Sequence, residues 1–416
     1  MTTNEGQFFI KTGHEPQPAP VVRPAPRPAA PVALPVPAPA QPVVQTVQGA
    51  PTGRAPFAGT LDSLLAWLVQ HKGSDLHLAG GEPPRARING DLVEAAADII
   101  PNGQLEQMID ALLNDRLRQQ YRDRHDIDLA YQLGSTARFR VNVMRKRGMV
   151  GAVFRTIPSK VLTAEDLDLP QSLRALSGLP RGLVLVTGPT GSGKSTTLAA
   201  MVDLANRTRA GHIITIEDPI EFTHAAQRSV VSQREVGTDT DSFDSGLRAA
   251  LRQDPDVILV GELRDQETTR IALEAAETGH LVFATMHTKS AAETIDRFVG
   301  MFPDGIQNQI RGALASALEA VVVQTLVKTS DGAGRVAARE ILLLDAPSRA
   351  LIRQHKLEQM GTVMQGGAAR GMTTLDADLA RLVDAGQITR EAAESVALNP
   401  KELEMRLTKK TTMRSL

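Results

Sequence analysis

The 416-residue sequence has no cysteine, which excludes disulfide bridges and thiolate-held zinc and fits a reducing compartment. Bulk charge is missing as well. Lysine and arginine number 46 against 47 aspartates and glutamates, so no overall field draws the chain to nucleic acid or an acidic lipid surface, although local patches remain open. No stretch approaches the ~18 apolar residues of a membrane span, and the first residues lack the short apolar core of a signal peptide. These absences predict a protein made and kept in the cytosol. A chain of this length is expected to form about two to three domains.

What is present begins with proline. Thirteen of the 25 prolines precede residue 57, in a Pro/Ala/Val composition that packs no core and favours extended backbone. Residues 1–57 are therefore expected to be a disordered arm, either a spacer or a docking segment. From there "TLDSLLAWLVQHKG" reads as a helix, "SDLHLAGGEPPRARINGDLVE" as short strands, "NGQLEQMIDALLNDRLRQQYRDR" as a second helix, and "IDLAYQL" with "ARFRVNVMRKRGMVGAVFRTI" as antiparallel strands. The last forms a hairpin with its tip at Arg145 to Gly148. Residues 58–160 thus predict a small α+β domain, and 161–181 a linker.

From Gly182 the apolar runs "LVLVTG", "HIITIED", "DVILVGE" and "LVFATMHT" alternate with helical stretches. That alternation predicts an α/β domain on a mostly parallel sheet over 182–345. Such a sheet binds its ligand at the carboxyl ends of its strands. The last hundred residues, from "NQIRGALASALEAVVVQTLVK" onward, are expected to be largely helical, with 346–416 a helical C-terminal region.

Gly188, Gly193, Lys194 and Ser195 satisfy G-x-x-x-x-G-K-[ST] between a strand and a helix. Gly188, Pro189, Thr190, Gly191, Ser192, Gly193, Lys194, Ser195 and Thr196 make up this loop, whose glycines let backbone amides wrap a phosphate at a helix N-terminus. Lys194 is expected to reach the β and γ oxygens and Ser195 to ligate Mg²⁺. The loop is therefore read as holding a nucleoside triphosphate. Carboxylates must hold the metal's shell and orient water. Glu262, ending "DPDVILVGE", is the expected second metal ligand, and "ITIEDPIEF" offers Glu217, Asp218 and Glu221. His280 and His287 bracket "LVFATM"; they are either structural or, in the case of His287 at a strand end, placed to sense the γ-phosphate.

The hairpin carries Arg138, Arg140, Arg145, Lys146, Arg147 and Arg155. Phe139, Val141 and Val143 should face the core, sending Arg138 and Arg140 to the other face. Three readings stand at this point: a solvated basic hairpin, a nucleic-acid contact lacking any aromatic to stack bases, and an arginine finger for the transferring phosphoryl.

With those segments in view, the chain resembles the secretion ATPase superfamily, and within it the motors that retract type IV pili. The resemblance runs over about residues 59–398. "GSDLHLAGGEPPRARINGDL" is similar to the opening of that family's PAS-like N-terminal domain. "GPTGSGKSTTLAAMVD" is similar to its Walker A segment, "TIEDPIEF" to its aspartate box, "LRQDPDVILVGELRD" to its Walker B segment and "TGHLVFATMHT" to its histidine box. "SRALIRQHK" resembles the retraction branch's AIRNLIRE-like motif, with Pro347, Ala350 and Gln354 departing from it, and Lys289 departs from the histidine-box pattern.

The resemblance implies a RecA-like ATPase domain behind a PAS-like domain, assembled as a homohexamer that hydrolyses Mg²⁺-ATP. It makes Glu221 the catalytic base, Glu262 the Walker B acid, Arg140 and Arg155 phosphate-contacting arginines, and His280 and His287 the histidine box. It implies an inner-membrane pilus platform protein as partner at the cytoplasmic face, a paralogous pilus ATPase as a further one, and no specific nucleic acid. The missing cysteines favour retraction, because pilus-extension and type II secretion ATPases usually carry a tetracysteine zinc element. The rivals are an assembly, secretion or DNA-uptake ATPase of the same superfamily, a DNA translocase on a similar core, and a nucleotide-binding accessory subunit.

Overall fold

The computed structural model describes residues 56–414 apart from 89, 135 and 158–160, with side chains in the last helix described to residue 408. The proline-rich arm lies outside the described residues except for Pro56 and Phe57, whose backbone pairs with Ile99.

Helix α1 (Leu61–Gln70) starts where Thr60 and Ser63 cap each other's backbone, and it buries Leu61, Leu64, Leu65 and Leu68. Strands β1 (Asp75–Ala79), β2 (Arg85–Ile88) and β3 (Asp91–Glu94) follow, then helices α2 (Asn102–Asp110) and α3 (Asp115–Arg124), then β4 (Asp126–Leu133), β5 (Ala137–Lys146) and β6 (Met149–Ile157). The single helix expected over 102–124 is therefore two. Its break falls where the Asn114 side chain accepts from Leu117 N–H and starts a new helix. The six strands form one antiparallel sheet in the order β3-β2-β1-β6-β5-β4. Arg147 and Gly148 close the β5–β6 hairpin with φ of 54° and 79°, the twist a two-residue hairpin turn needs. Phe139, Val141 and Val143 are fully buried, so the arginines between them turn to the other face.

A short helix α4 (Gln171–Leu176) leads into the second sheet. Its elements are β7 (Gly182–Thr187), α5 (Lys194–Thr208), β8 (His212–Glu217), β9 (Val230–Glu235), α6 (Phe243–Ala250), β10 (Val257–Val260), α7 (Gln266–Glu277), β11 (Leu281–Met286), α8 (Ala291–Gly300), α9 (Asp304–Ala317), β12 (Leu318–Lys328) and β13 (Arg335–Leu343). The order is β13-β12-β7-β11-β10-β8-β9. Every neighbouring pair is parallel except β12 with β13. β7, β10 and β11 are buried along their whole length, as strands covered on both faces must be.

The expectation of a largely helical last hundred residues fails at β12 and β13. "GALASALEAVVV" carries apolar residues at a spacing that suits either element, and the run Val321 to Val323 decides for strand because β-branched chains pack on a pleated surface. The mostly polar edge strand β9 also has no counterpart in the sequence reading. From Ala346 the described residues are helical: α10 (Ala346–Gln354), α11 (Met360–Gly366), α12 (Leu375–Asp384), α13 (Arg390–Glu394) and α14 (Pro400–Arg414). Leu375, Leu379, Leu403 and Leu407 pack there against Val327 and Ala338 of the β12–β13 hairpin.

Candidate functional site

β7 delivers the chain to the glycine loop. Gly188 has φ 138°, and a Cβ there would lie 2.1 Å from the Gln324 carbonyl oxygen; only glycine fits. Gly193 has φ 83° at the start of α5, whose first amides lack partners within the helix. The loop is pinned from β12. Gln324 Nε2 donates to Ser192 O at 2.7 Å, and its Oε1 accepts from Thr197 Oγ1 at 2.9 Å. Lys194 is buried, its Nζ donating to Gly188 O (2.9 Å) and Pro189 O (3.1 Å). Burial pushes this ammonium below its ordinary value, against the pull of Glu262 and Glu221.

Strand register then decides what surrounds the loop. Thr187 of β7 stands beside Met286 of β11, and Val260 of β10 beside Ala284 of β11 and Ile216 of β8. The four carboxyl ends therefore lie side by side. His287 follows β11, Glu262 follows β10, and Asp218 to Glu221 follow β8. Burial alone would raise the Glu262 carboxyl, but Arg264 Nη2 at 2.7 Å and His287 Nε2 at 3.2 Å outweigh it and hold it below its usual value. Glu217 behaves the opposite way. Burial pushes its carboxyl up, although Thr215 Oγ1 (2.6 Å), Gln233 Nε2 (3.2 Å) and the Glu221 N–H (3.4 Å) all donate to it. It anchors the loop that presents Glu221, which is exposed.

These groups enclose a cavity of about 580 Å³, lined by Thr190 to Thr196, Glu217, Asp218, Glu221, Glu262 and His287, and by Arg140 from the other sheet. Gly188 and Pro189 contribute the carbonyls under Lys194. Arg155 is paired with Arg140 across β5 and β6 but lines a neighbouring cavity of about 290 Å³ that shares Arg140, Thr196 and Glu221 with the first. Its Nε donates to Asp75 Oδ1 at 2.8 Å. His280 is not brought there: it sits before β11, at the opposite end of that strand from His287, and its Nδ1 is 2.9 Å from Ala275 O. Of the two histidines in the box that the resemblance implies, only His287 lines the cavity. Lys289 is exposed and does not line the cavity.

The sequence reading missed four contributors. Arg264 was findable, standing two residues past Glu262 in "GELRD". His224 lies just beyond the acidic segment. Gln324 and Arg335 were hidden in a stretch read as helical.

Residues 52–415 match the family of type II/IV secretion system proteins. The chain belongs to that family. Among the secretion family's curated proteins it is 49% identical over 340 residues to the type IV pilus retractation ATPase PilT of Pseudomonas aeruginosa, covering 82% of this chain and 98% of the relative. It is 48% identical over 320 residues to a twitching motility protein of Neisseria gonorrhoeae, covering 77% and 86%. Among solved structures, the pilus retraction motor PilT with bound ADP superimposes with a TM-score of 0.78 at 42% identity, over 83% of this chain and 99% of that one. The chain is a secretion-family ATPase with a nucleotide-binding α/β fold.

Proposed function

We propose that this chain is the subunit of a hexameric ATP-hydrolysing motor that retracts type IV pili. The carrying observation is the convergence of four strand ends with Arg140 of the other sheet round one cavity. Lys194 and the loop amides hold the β- and γ-phosphates. The Ser195 hydroxyl and the Glu262 carboxylate, kept ionised by Arg264 and His287, are the oxygen donors Mg²⁺ takes, so the residues fit that cation, which when bound neutralises phosphate charge. Glu221 orients the attacking water. Arg140 meets the charge that develops on the transferring group, and Arg155 joins it on leaving Asp75.

A larger cavity of about 1020 Å³ shares Gly193, Thr196, Leu326 and Arg335 with the first and runs away from the acids between α4, α12 and the β12–β13 hairpin. It receives the nucleoside. Loss of the γ-phosphate removes what draws the two sheets together, and that release is the mechanical step. Repeated round a ring, it acts on an inner-membrane platform protein at the pilus base, alongside a paralogous ATPase. Among the described residues no helix is long and apolar enough to cross a membrane.

The test is a deletion in the source organism complemented by wild type or Lys194→Ala. Excess surface pili with lost surface motility, not restored by Lys194→Ala, is the expected outcome; absence of pili would assign the motor to assembly. In the purified protein Lys194→Ala should lower ATP turnover about a hundredfold or more without unfolding it.

A further inference from the structure

The first sheet grips the second at one ion pair that the reaction has not used. Arg138 stands two residues from Arg140 on β5, so both side chains leave the same face of the strand. Its Nη2 donates to Glu235 Oε2 at 2.7 Å, with the Glu235 side chain 4% exposed. The same oxygen accepts the Ile220 N–H at 3.1 Å. Ile220 immediately precedes Glu221. Glu235 ends β9 opposite Glu217, so the turn that follows β8 is held at two adjacent amides, Ile220 N–H by Glu235 and Glu221 N–H by Glu217. A second contact reinforces the grip, where Arg116 of α3 donates to the Gly237 carbonyl just past β9.

The Glu235 carboxylate is buried and its Arg138 partner only 23% exposed, so the pair owes little of its place to stability. Desolvating two ions costs about as much as their attraction returns, and such pairs are better attested as devices that fix geometry. Here the geometry fixed is that of the catalytic loop. Moving β5 moves Arg138, hence Glu235, hence the amide beside Glu221.

We propose that Arg138 and Glu235 are positioning residues that couple the attitude of the six-stranded sheet to the orientation of Glu221. Arg140 and Arg138 then report one movement to two places. As the sheet closes, Arg140 arrives at the phosphates and Arg138 sets the acid, so water attack is permitted only in the closed arrangement. A neighbouring cavity of about 120 Å³, lined by Arg140, Asp218, Pro219 and Glu235, leaves room for that adjustment. The proposal rests on Glu221 acting on the attacking water.

The experiment measures steady-state ATP turnover, binding of a fluorescent ATP analogue and thermal unfolding for the full chain and four variants. Arg138→Gln should lower the kcat of the folded protein about tenfold with KM and analogue affinity nearly unchanged, the scale expected when a reacting group is slightly misplaced, and should also lower Tm because the buried Glu235 carboxylate loses its partner. Arg138→Lys should restore kcat to within about threefold, since charge and reach survive. Arg138→Gln/Glu235→Gln leaves no unpaired buried ion, guards against misfolding, and should remain about fivefold or more below wild type in kcat. A kcat within about twofold of wild type in that folded double variant would overturn the coupling, as would a loss seen only in KM or Tm. Glu221→Gln separates the two ideas: if it turns over normally, the water-orienting role itself falls, whereas an inactive Glu221→Gln beside a fully active double variant removes only the latch.

Discussion

At the scale of single residues, the glycines of the phosphate loop divide by what their missing Cβ would meet. At Gly188 it would meet a β12 carbonyl at 2.1 Å, while at Gly191, with φ 76°, it would meet nothing within 4 Å. Gly188→Ala should therefore cost about 1–3 kcal/mol and most of the ATP turnover, because backbone must move. Gly191→Ala should cost about 1 kcal/mol, from conformation alone. Chemical denaturation and an ATPase assay on both variants check the contrast. The loop itself was legible because phosphate chemistry fixes its spacing within nine residues. Gln324 was not, since its bond to Ser192 spans 132 residues of sequence, and nothing local distinguishes a glutamine that pins a loop from one that faces water. His280 shows the converse. A histidine at either end of a strand reads alike in sequence, but only the carboxyl end of β11 lies beside the glycine loop.

Elements add what residues cannot. Four of the six parallel strands of the ATPase sheet, β7, β8, β10 and β11, were legible as apolar runs, and their order then placed three separate acid and histidine segments round one loop. β12 was not legible, since its apolar spacing suits either element, and its β-branched run takes effect only when packed beside β7. At the next junction Arg349 of α10 donates to Ala315 O (2.7 Å) and Ser316 O (2.9 Å), the last carbonyls of α9, and to Glu319 Oε1 (2.9 Å). A cation there satisfies acceptors that a helix end leaves open. Arg349→Ala should destabilise by about 1–2 kcal/mol, the pair being partly exposed, and lower Tm by a few degrees. ATP turnover at 25 °C should stay near wild type, since α10 lines none of the cavities at the phosphate loop. Calorimetry beside an ATPase assay separates the two effects; a large loss of turnover would mean that α10 communicates with the site.

For the whole molecule, among the described residues both sheets end in a strand with no neighbour on one side and with apolar side chains at the surface: Leu92 and Val93 on β3 are 48% and 39% exposed, and Val230 on β9 is 63% exposed. An open edge of this kind is normally hidden or charged, because it templates pairing with other chains. A closed ring whose interface took in such an edge would hide it in every subunit and leave no free end. The sequence could imply the ring only by resemblance, since these exposed positions are indistinguishable from core ones until the sheet order is known. Light scattering in the presence of a non-hydrolysed ATP analogue should give a particle of six 44.6 kDa chains. Val230→Glu should shift the population toward lighter species and lower the specific ATPase activity in proportion, with analogue binding by each chain kept, because the phosphate loop and Val230 lie at opposite ends of the sheet's strands. If the variant assembles and turns over as wild type does, the β9 edge lies outside the interface. If the wild-type chain stays monomeric at full activity, hydrolysis needs no ring, and Arg140 of the same chain suffices for the phosphates it faces.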